Sequence, residues 1–296
     1  LMKDDFANLE TEKVGRKIKK TSDSVSLLVR NFIDEHDEIS SILKKNNKNI
    51  TKAINKFITT FSDGGSIYFI GAGTSGRLGV LEAAECPPTF GTSPDRIIAI
   101  MAGGKSAVFK SKEGAEDSSI DSLKDLKTKK FSKKDLLVGI SASGTSQYVL
   151  SAIKYAKKIK AETIFISCNE LKKEVSALDI ELKVGSEFVA GSTRLKSGTI
   201  TKNVLNIITT VSMIKLEKIY KNLMIDIVPS TKKLRARSIR NLCLLLDINK
   251  KLSGSLLEDS KWSIRVAVII YKMNIPYKKA KSLSKKISIV ELLDAK

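Results

Sequence analysis

Residues Gly71, Gly73 and Gly76 satisfy a G-x-G-x-x-G pattern, with Thr74 and Ser75 between the last two glycines. The pattern follows the apolar run SIYFI (66–70) and leads into RLGVLEAAE (77–85), whose apolar residues recur at helical spacing. A second loop, SASGTS (141–146), follows the apolar run DLLVGIS (135–141) and opens another helical segment, SQYVLSAIKYAKKIK (146–160). Backbone N–H groups at a helix start, joined by serine and threonine hydroxyls, form a cradle for an anion. Gly73, Thr74, Ser75 and Gly76 in the first loop, and Ser141, Ser143, Gly144 and Ser146 in the second, are therefore candidate phosphate ligands. One such loop would read as an ordinary glycine-serine turn with capping hydroxyls. Two, each set between a strand and a helix, point to a binding site.

The glycine pattern by itself would fit a dinucleotide turn, but that turn needs an acidic residue at the end of the next strand for the ribose hydroxyls. Here the next strand runs into MAGGK (101–105), with no carboxylate. No Gly-Lys-Ser/Thr follows either, so a Walker-type phosphate loop is excluded. A phosphate monoester fits the hydroxyl-rich loops better. Two carboxylates stand out as general acid/base candidates. Glu85 ends an apolar helix just before Cys86-Pro87-Pro88, and the prolines are expected to stop that helix. Glu116 lies in EGAED (113–117), where Glu113 and Asp117 crowd it. Crowded carboxylates raise one another's pKa, which suits proton transfer.

The elements that must position these groups alternate. Strand candidates are 66–70, RIIAIMA (96–102), 135–141, ETIFIS (162–167) and IELKVG (180–185), with helical segments between them, including 106–117 as one helix. Such alternation implies an α/β fold with a parallel sheet covered on both faces. Residues 21–61 read as helices, a long helix spans about 195–220, and NLMIDIVPS (222–230) is extended. From about 231 onward the chain is helical, so the expected organisation is an N-terminal helical segment (1–47), an α/β domain carrying the two loops (48–230) and a small helical C-terminal domain (231–296). The first twenty residues are polar and expected to be loosely held.

The formal net charge of +20 raises nucleic-acid binding, but the lysines are spread along the whole chain and no RNA-binding aromatic or zinc pattern accompanies them. No nucleic-acid partner is expected. No apolar run approaches the ~20 residues of a membrane span, and no export signal is read at the N-terminus. Cys86, Cys168 and Cys243 have no metal-ligand spacing and fit a reducing compartment. His36, the lone histidine, sits in a polar helical stretch and is read as structural or solvated.

GAGTSGRLGVLEAAECPPTFG (71–91) closely resembles the signature of the N-acetylmuramic acid 6-phosphate etherases, a family within the sugar-isomerase (SIS) domain superfamily. EGAED (113–117), VGSEFVAGSTRLKSGT (184–199) and NLMIDIV (222–228) support the likeness, which runs from about residue 48 to the C-terminus. The resemblance implies a flavodoxin-like αβα sandwich, a cytoplasmic enzyme that needs no metal or organic cofactor, and a homodimer in which the site completes itself across subunits. It implies cleavage of the D-lactyl ether of N-acetylmuramic acid 6-phosphate to N-acetylglucosamine 6-phosphate and D-lactate, in peptidoglycan recycling. By position, the two functional glutamates of the family correspond to Glu85 and Glu116. Lys196, with Arg194, adds positive charge for the phosphate or the lactyl carboxylate.

The sequence also departs from the family pattern. Of the N-terminal pattern only Thr11-Glu12 survives clearly, the second loop reads SGTSQY where relatives favour a larger basic residue and a proline, and Asn169 is followed by ELKK instead of a Pro-Gly-Ser-type turn. These changes bear on substrate recognition, and they keep a second expectation alive, a non-catalytic sugar-phosphate-binding regulator of the same fold. An aldose–ketose isomerase shares the proton abstraction at carbon 2 but is not expected to carry the ECPPT motif.

Overall fold

The computed structural model describes residues 8–294 apart from 16, 17 and 19. Three helices come first: α1 (Val25–Asp34), α2 (Ile39–Lys45) and α3 (Asn47–Ser62). The alternating region follows as β1 (Ile67–Gly71), α4 (Gly73–Phe90), β2 (Ile97–Met101), α5 (Lys105–Phe109), α6 (Ser119–Thr128), β3 (Leu136–Ile140), α7 (Gln147–Lys158), β4 (Glu162–Ser167) and β5 (Asp179–Glu181). The chain continues through α8 (Lys196–Lys215) and a short antiparallel hairpin, β6 (Ile219–Tyr220) and β7 (Leu223–Met224). It ends in α9 (Lys232–Leu246), α10 (Lys250–Asp259), α11 (Ile264–Met273), α12 (Tyr277–Leu283) and α13 (Ile289–Asp294). Two compact units result. One holds the residues up to Ala84 with Pro94–Thr209; the other holds Glu85–Ser93 with Thr210 onward.

In the first unit, five strands among the described residues form a parallel sheet in the order β2-β1-β3-β4-β5. Every residue of β1 and of β3 is buried, which explains why both read as continuous apolar runs. On one face Tyr68, Ile70, Leu137 and Phe165 pack with Leu126 of α6 and with Tyr148, Val149 and Ile153 of α7. The opposite face of β1 carries Ile67 and Phe69, both fully buried, and Gly79 of α4 packs directly on Phe69. Residues of β1 pair in register with both neighbours, so Gly71 lies beside Met101 of β2 and Ile140 of β3. That alignment sets the loops after β1 and β3 next to each other.

Three expectations need correction. Residues 106–117 are not one helix: α5 ends at Phe109, Lys110 is extended, Gly114 is left-handed, and Ala115–Asp117 form a separate 3-10 turn. Arg77 donates from Nε to the Val108 carbonyl and from Nη2 to the Ala107 carbonyl, which takes up acceptors that a continuing helix would use. Pro87 and Pro88 do not stop α4, which runs on to Phe90 with both prolines inside it. A proline has no N–H for the carbonyl four residues back, so the Ala83 and Ala84 carbonyls lose their usual donors while the helical path continues. The opening residues are not uniformly loose. Residues 1–7, 16, 17 and 19 lie outside the described residues, but Thr11 is fully buried. Its N–H donates to Asn169 Oδ1 at 3.2 Å, its hydroxyl accepts from Asn169 Nδ2 at 3.0 Å, and its carbonyl accepts from the Gly191 N–H at 2.8 Å.

The second unit is built on the α9–α13 helices around Leu242, Leu257, Val268, Ile269 and Ile289. Asp226, in the segment after the hairpin, accepts from Lys218 Nζ at 2.7 Å and Arg265 Nε at 3.0 Å. Gly91 follows the ECPPTF stretch at φ +63°, and a Cβ placed there would lie 2.2 Å from the Asp226 carbonyl oxygen. Only glycine permits that approach, which ties the two motifs together within one unit.

Candidate active site

At the carboxyl ends of β1 and β3 lies a cavity of about 540 Å³, lined by Thr74, Ser75, Glu116, Ser141, Ser143 and Ser146 among others. The strand order 2-1-3-4-5 reverses between β1 and β3, so their crossovers leave in opposite directions and open a crevice there. Helices α4 and α7 both begin at this crevice. Their first-turn N–H groups have no intrahelical acceptors and bring the positive end of the helix dipole with them. Gly73 opens α4 at φ +53° and lines the cavity, and Gly144 turns the second loop at φ +79°. Gly76 is a matter of space: a Cβ there would sit 2.7 Å from the Gly71 carbonyl oxygen and 2.8 Å from Met101 Cγ. The absent side chain lets the first turn of α4 press against the end of β1.

Within the second loop the hydroxyls are close together. Ser143 Oγ lies 2.9 Å from Thr145 Oγ1 and 3.5 Å from Ser141 Oγ. Ser146 precedes α7 but does not cap it; its hydroxyl donates to the Glu116 backbone carbonyl at 3.2 Å. One serine thus fastens the turn that carries Glu116 to the rim of the anion cradle.

Glu116 has its carboxyl pKa raised above the usual glutamate range, first by burial and then by the neighbouring charges of Asp117 and Glu113. Its side chain stays accessible, as proton transfer with a ligand requires, while the surrounding protein strips part of its water. It also lines a second cavity of about 190 Å³, which shares Ala72 and Gly73 with the first and is otherwise walled by Arg77, the end of β2 and residues 111–115.

One predicted residue of this unit is not gathered here, and Glu85 belongs to the other unit, where it is exposed on α4. Lys196 is 5% exposed, and its ammonium pairs with the equally enclosed Glu35 carboxylate at 2.9 Å. It faces a separate cavity of about 460 Å³ with Glu10, Asp34 and Glu38. Arg194 is exposed and lines none of these cavities. Sequence reading also missed several cavity residues. Thr145, Gln147, Asp117, Thr193 and Glu12 all line the larger one. Glu12 arrives because its neighbour Thr11 is anchored, and only the survival of the Thr-Glu pair hinted at it. Glu82, one turn before Glu85, is buried and accepts from Thr209 Oγ1 at 2.5 Å, Asn206 Nδ2 at 2.9 Å and Lys202 Nζ at 3.4 Å. Among the described residues no three His, Cys, Asp or Glu side chains are clustered as a metal ion would need.

The arrangement suits a phosphorylated ligand held at two helix starts, with a proton-transferring carboxyl beside it. The chain is similar to several known proteins. The family model described as the glucokinase regulatory protein N-terminal SIS domain matches residues 49–157. The N-acetylmuramic acid 6-phosphate etherase of Prochlorococcus marinus is 44% identical over 281 residues, covering 94% of this chain and 90% of its own. The one from Staphylococcus epidermidis is 48% identical over 226 residues, covering 75% of this chain and 76% of its own. Among solved structures, a phosphoheptose isomerase from Francisella tularensis aligns with TM-score 0.46 at 19% identity, covering 64% of this chain and 99% of that one.

Proposed function

The chain belongs to the N-acetylmuramic acid 6-phosphate etherase family, and on that premise we propose how its own residues cleave the D-lactyl ether of that sugar phosphate. It is a carbon–oxygen lyase that yields N-acetylglucosamine 6-phosphate and D-lactate in cell-wall recycling. The 6-phosphate sits on the N–H groups of α4 and α7 with Thr74, Ser75, Ser141 and Ser143 donating hydroxyls. In the open-chain form the carbon 1 aldehyde acidifies the proton on carbon 2. Glu116 removes that proton, the carbon 3–oxygen bond breaks, and the lactate oxygen takes a proton as it leaves. Water then adds across the new double bond, hydroxyl to carbon 3 and proton to carbon 2, so the atoms balance. Each accompanying proton moves to or from a positioned carboxyl.

The observation that supports this reading is that Glu116 and both hydroxyl-bearing loops line one cavity. Glu85 is assigned the protonation of the departing lactate and the activation of water. Its exposure makes it available to act across a subunit contact. A homodimer is part of the proposal: α1 buries none of its residues and leaves Val25, Val29 and Ile33 78%, 52% and 59% exposed along one side. Such a stripe is costly in water and suits a protein interface. No helix among the described residues is long and apolar enough to cross a membrane, and the cytoplasm is proposed as the compartment where this sugar phosphate is met.

The test is release of D-lactate from N-acetylmuramic acid 6-phosphate by the wild type, Glu116→Gln and Glu85→Ala. Release by the wild type with loss in both variants is expected. Tight binding without release by the wild type would replace the etherase reading with that of a sugar-phosphate sensor. Sedimentation that finds only monomer would remove the dimer and the assigned role of Glu85 across it.

A further inference from the structure

The smaller cavity has a charge pattern that phosphate binding leaves unused. It meets the larger one at Glu116, Ala72 and Gly73, and its wall carries two cations, Arg77 and Lys112, with two carboxylates, Glu113 and Glu116. Arg77 lies one turn into α4 and spends its Nε and one Nη2 hydrogen on the Val108 and Ala107 carbonyls. A guanidinium has five N–H hydrogens, so both hydrogens on Nη1 and the second on Nη2 remain. They form the end-on fork that matches a carboxylate. Lys112 lays its side chain over Gly103 and donates from Nζ to the Gly103 carbonyl at 2.8 Å, which leaves further ammonium hydrogens. Among the described residues neither cation has a carboxylate ion-pair partner. Both are held in place by neutral carbonyls, with no direct ion pair.

The substrate of the proposed reaction carries negative charge at both ends. Its phosphate is far from carbon 3, where the lactyl carboxylate hangs, and carbon 3 adjoins the carbon 2 that Glu116 must reach. The lactyl carboxylate therefore has to approach Glu113, Glu116 and Asp117, three groups that would repel it. A cavity of about 190 Å³ has room for several waters at about 30 Å³ each, and hence for a small organic acid. We propose that this cavity is the subsite for the lactyl carboxylate, gripped by the free fork of Arg77 and by Lys112, so that Glu116 stands between phosphate and carboxylate subsites. This assignment rests on the etherase reading. It makes Arg77 and Lys112 the residues that separate the lactyl-bearing substrate from the product sugar, and it sets the leaving acid against their two charges as the bond breaks.

The test uses Lys112→Met, on an exposed loop, and Arg77→Lys, which keeps the charge but loses the fork. Three quantities are read for each: KM for N-acetylmuramic acid 6-phosphate, inhibition by D-lactate, and inhibition by N-acetylglucosamine 6-phosphate, which has no lactyl group. Loss of a charge-assisted contact raises KM by about tenfold or more and weakens D-lactate inhibition alike, with inhibition by the product sugar unchanged. Thermal midpoints show whether Arg77→Lys has kept its fold; if it has not, Lys112→Met decides. Equal weakening for both sugars, or no change for the lactyl compounds, would overturn the subsite while wild-type lactate release left the etherase reading standing. A wild type that releases no lactate would overturn both.

Discussion

Gly76→Ala is the sharpest probe of how the anion cradle is built. In an ordinary helix the change helps, by about 0.5–1 kcal/mol, because alanine loses less backbone entropy than glycine. Gly76 lies inside α4 with its φ outside the left-handed region, so no conformational strain opposes alanine. Space opposes it. The new methyl would sit 2.7 Å from the Gly71 carbonyl oxygen and 2.8 Å from Met101 Cγ, and the carbonyl is backbone at the end of β1, where it accepts from the Ala102 N–H at 3.0 Å. Methionine can bend away; β1 cannot, because β2 and β3 hold it from both sides. The first turn of α4 must then lift. Overpacking of this kind costs about 1–3 kcal/mol, so after the helix gain the expected net loss is about 0–2.5 kcal/mol. A lifted turn also withdraws the α4 N–H groups and the Thr74 and Ser75 hydroxyls from the phosphate, so sugar-phosphate affinity should fall with stability. Gly198→Ala is the matched control in the same unit. It is also helical, and its nearest contacts would be 3.5 Å and 3.6 Å, ordinary packing distances. It should be neutral or stabilising by up to about 1 kcal/mol. Urea or thermal unfolding of both variants, with calorimetric titration of N-acetylglucosamine 6-phosphate, reads both effects. A Gly76→Ala protein as stable as Gly198→Ala, with undiminished affinity, would refute the close-approach account.

Further outcomes follow from the same geometry. Because Glu116 has a raised pKa, it keeps its proton to higher pH than an ordinary glutamate, and base activity should disappear as pH falls through that raised value. Glu113→Gln with Asp117→Asn removes two of the raising charges, so the acidic limb of the pH–rate profile should move to lower pH; an unmoved limb would exclude Glu116 as the titrating base. The same raised pKa contributes stability below the unfolded-state value, lost as pH rises through the folded-state one. Ser146→Ala should lower kcat by about fivefold, the worth of roughly 1 kcal/mol for the bond to the Glu116 carbonyl. Ser143→Ala, which touches only its own loop, should alter KM alone; equal effects on kcat would deny Ser146 its positioning role. For the Lys196–Glu35 pair, Lys196→Met alone strands a buried carboxylate and should cost about 3–5 kcal/mol. Adding Glu35→Leu should recover most of the loss with KM unchanged, and a persistent rise in KM would return Lys196 to the substrate site.

Sequence by itself determined the parallel α/β core and the two loops. A strand buried on both faces must be apolar throughout, so β1 and β3 announce themselves, and a chain leaving each for a covering helix places glycines and hydroxyls at the sheet's carboxyl edge. Crowding around Glu116 was visible too, because Glu113 and Asp117 are its near neighbours in the chain. Partners distant in sequence were not visible. Glu82 and Glu85 look alike on one helix, yet α8, more than a hundred residues on, buries the first with Thr209 and Asn206 and leaves the second in water. Lys196 reads as a solvated cation at a helix start until Glu35 is brought against it from 161 residues away. Thr11 reads as part of a polar tail until Asn169 satisfies both its N–H and its hydroxyl. Local pattern reports how strongly a residue wants water. Tertiary packing decides which polar groups are offered a partner instead, and a buried charge or hydroxyl is tolerated only where that partner stands.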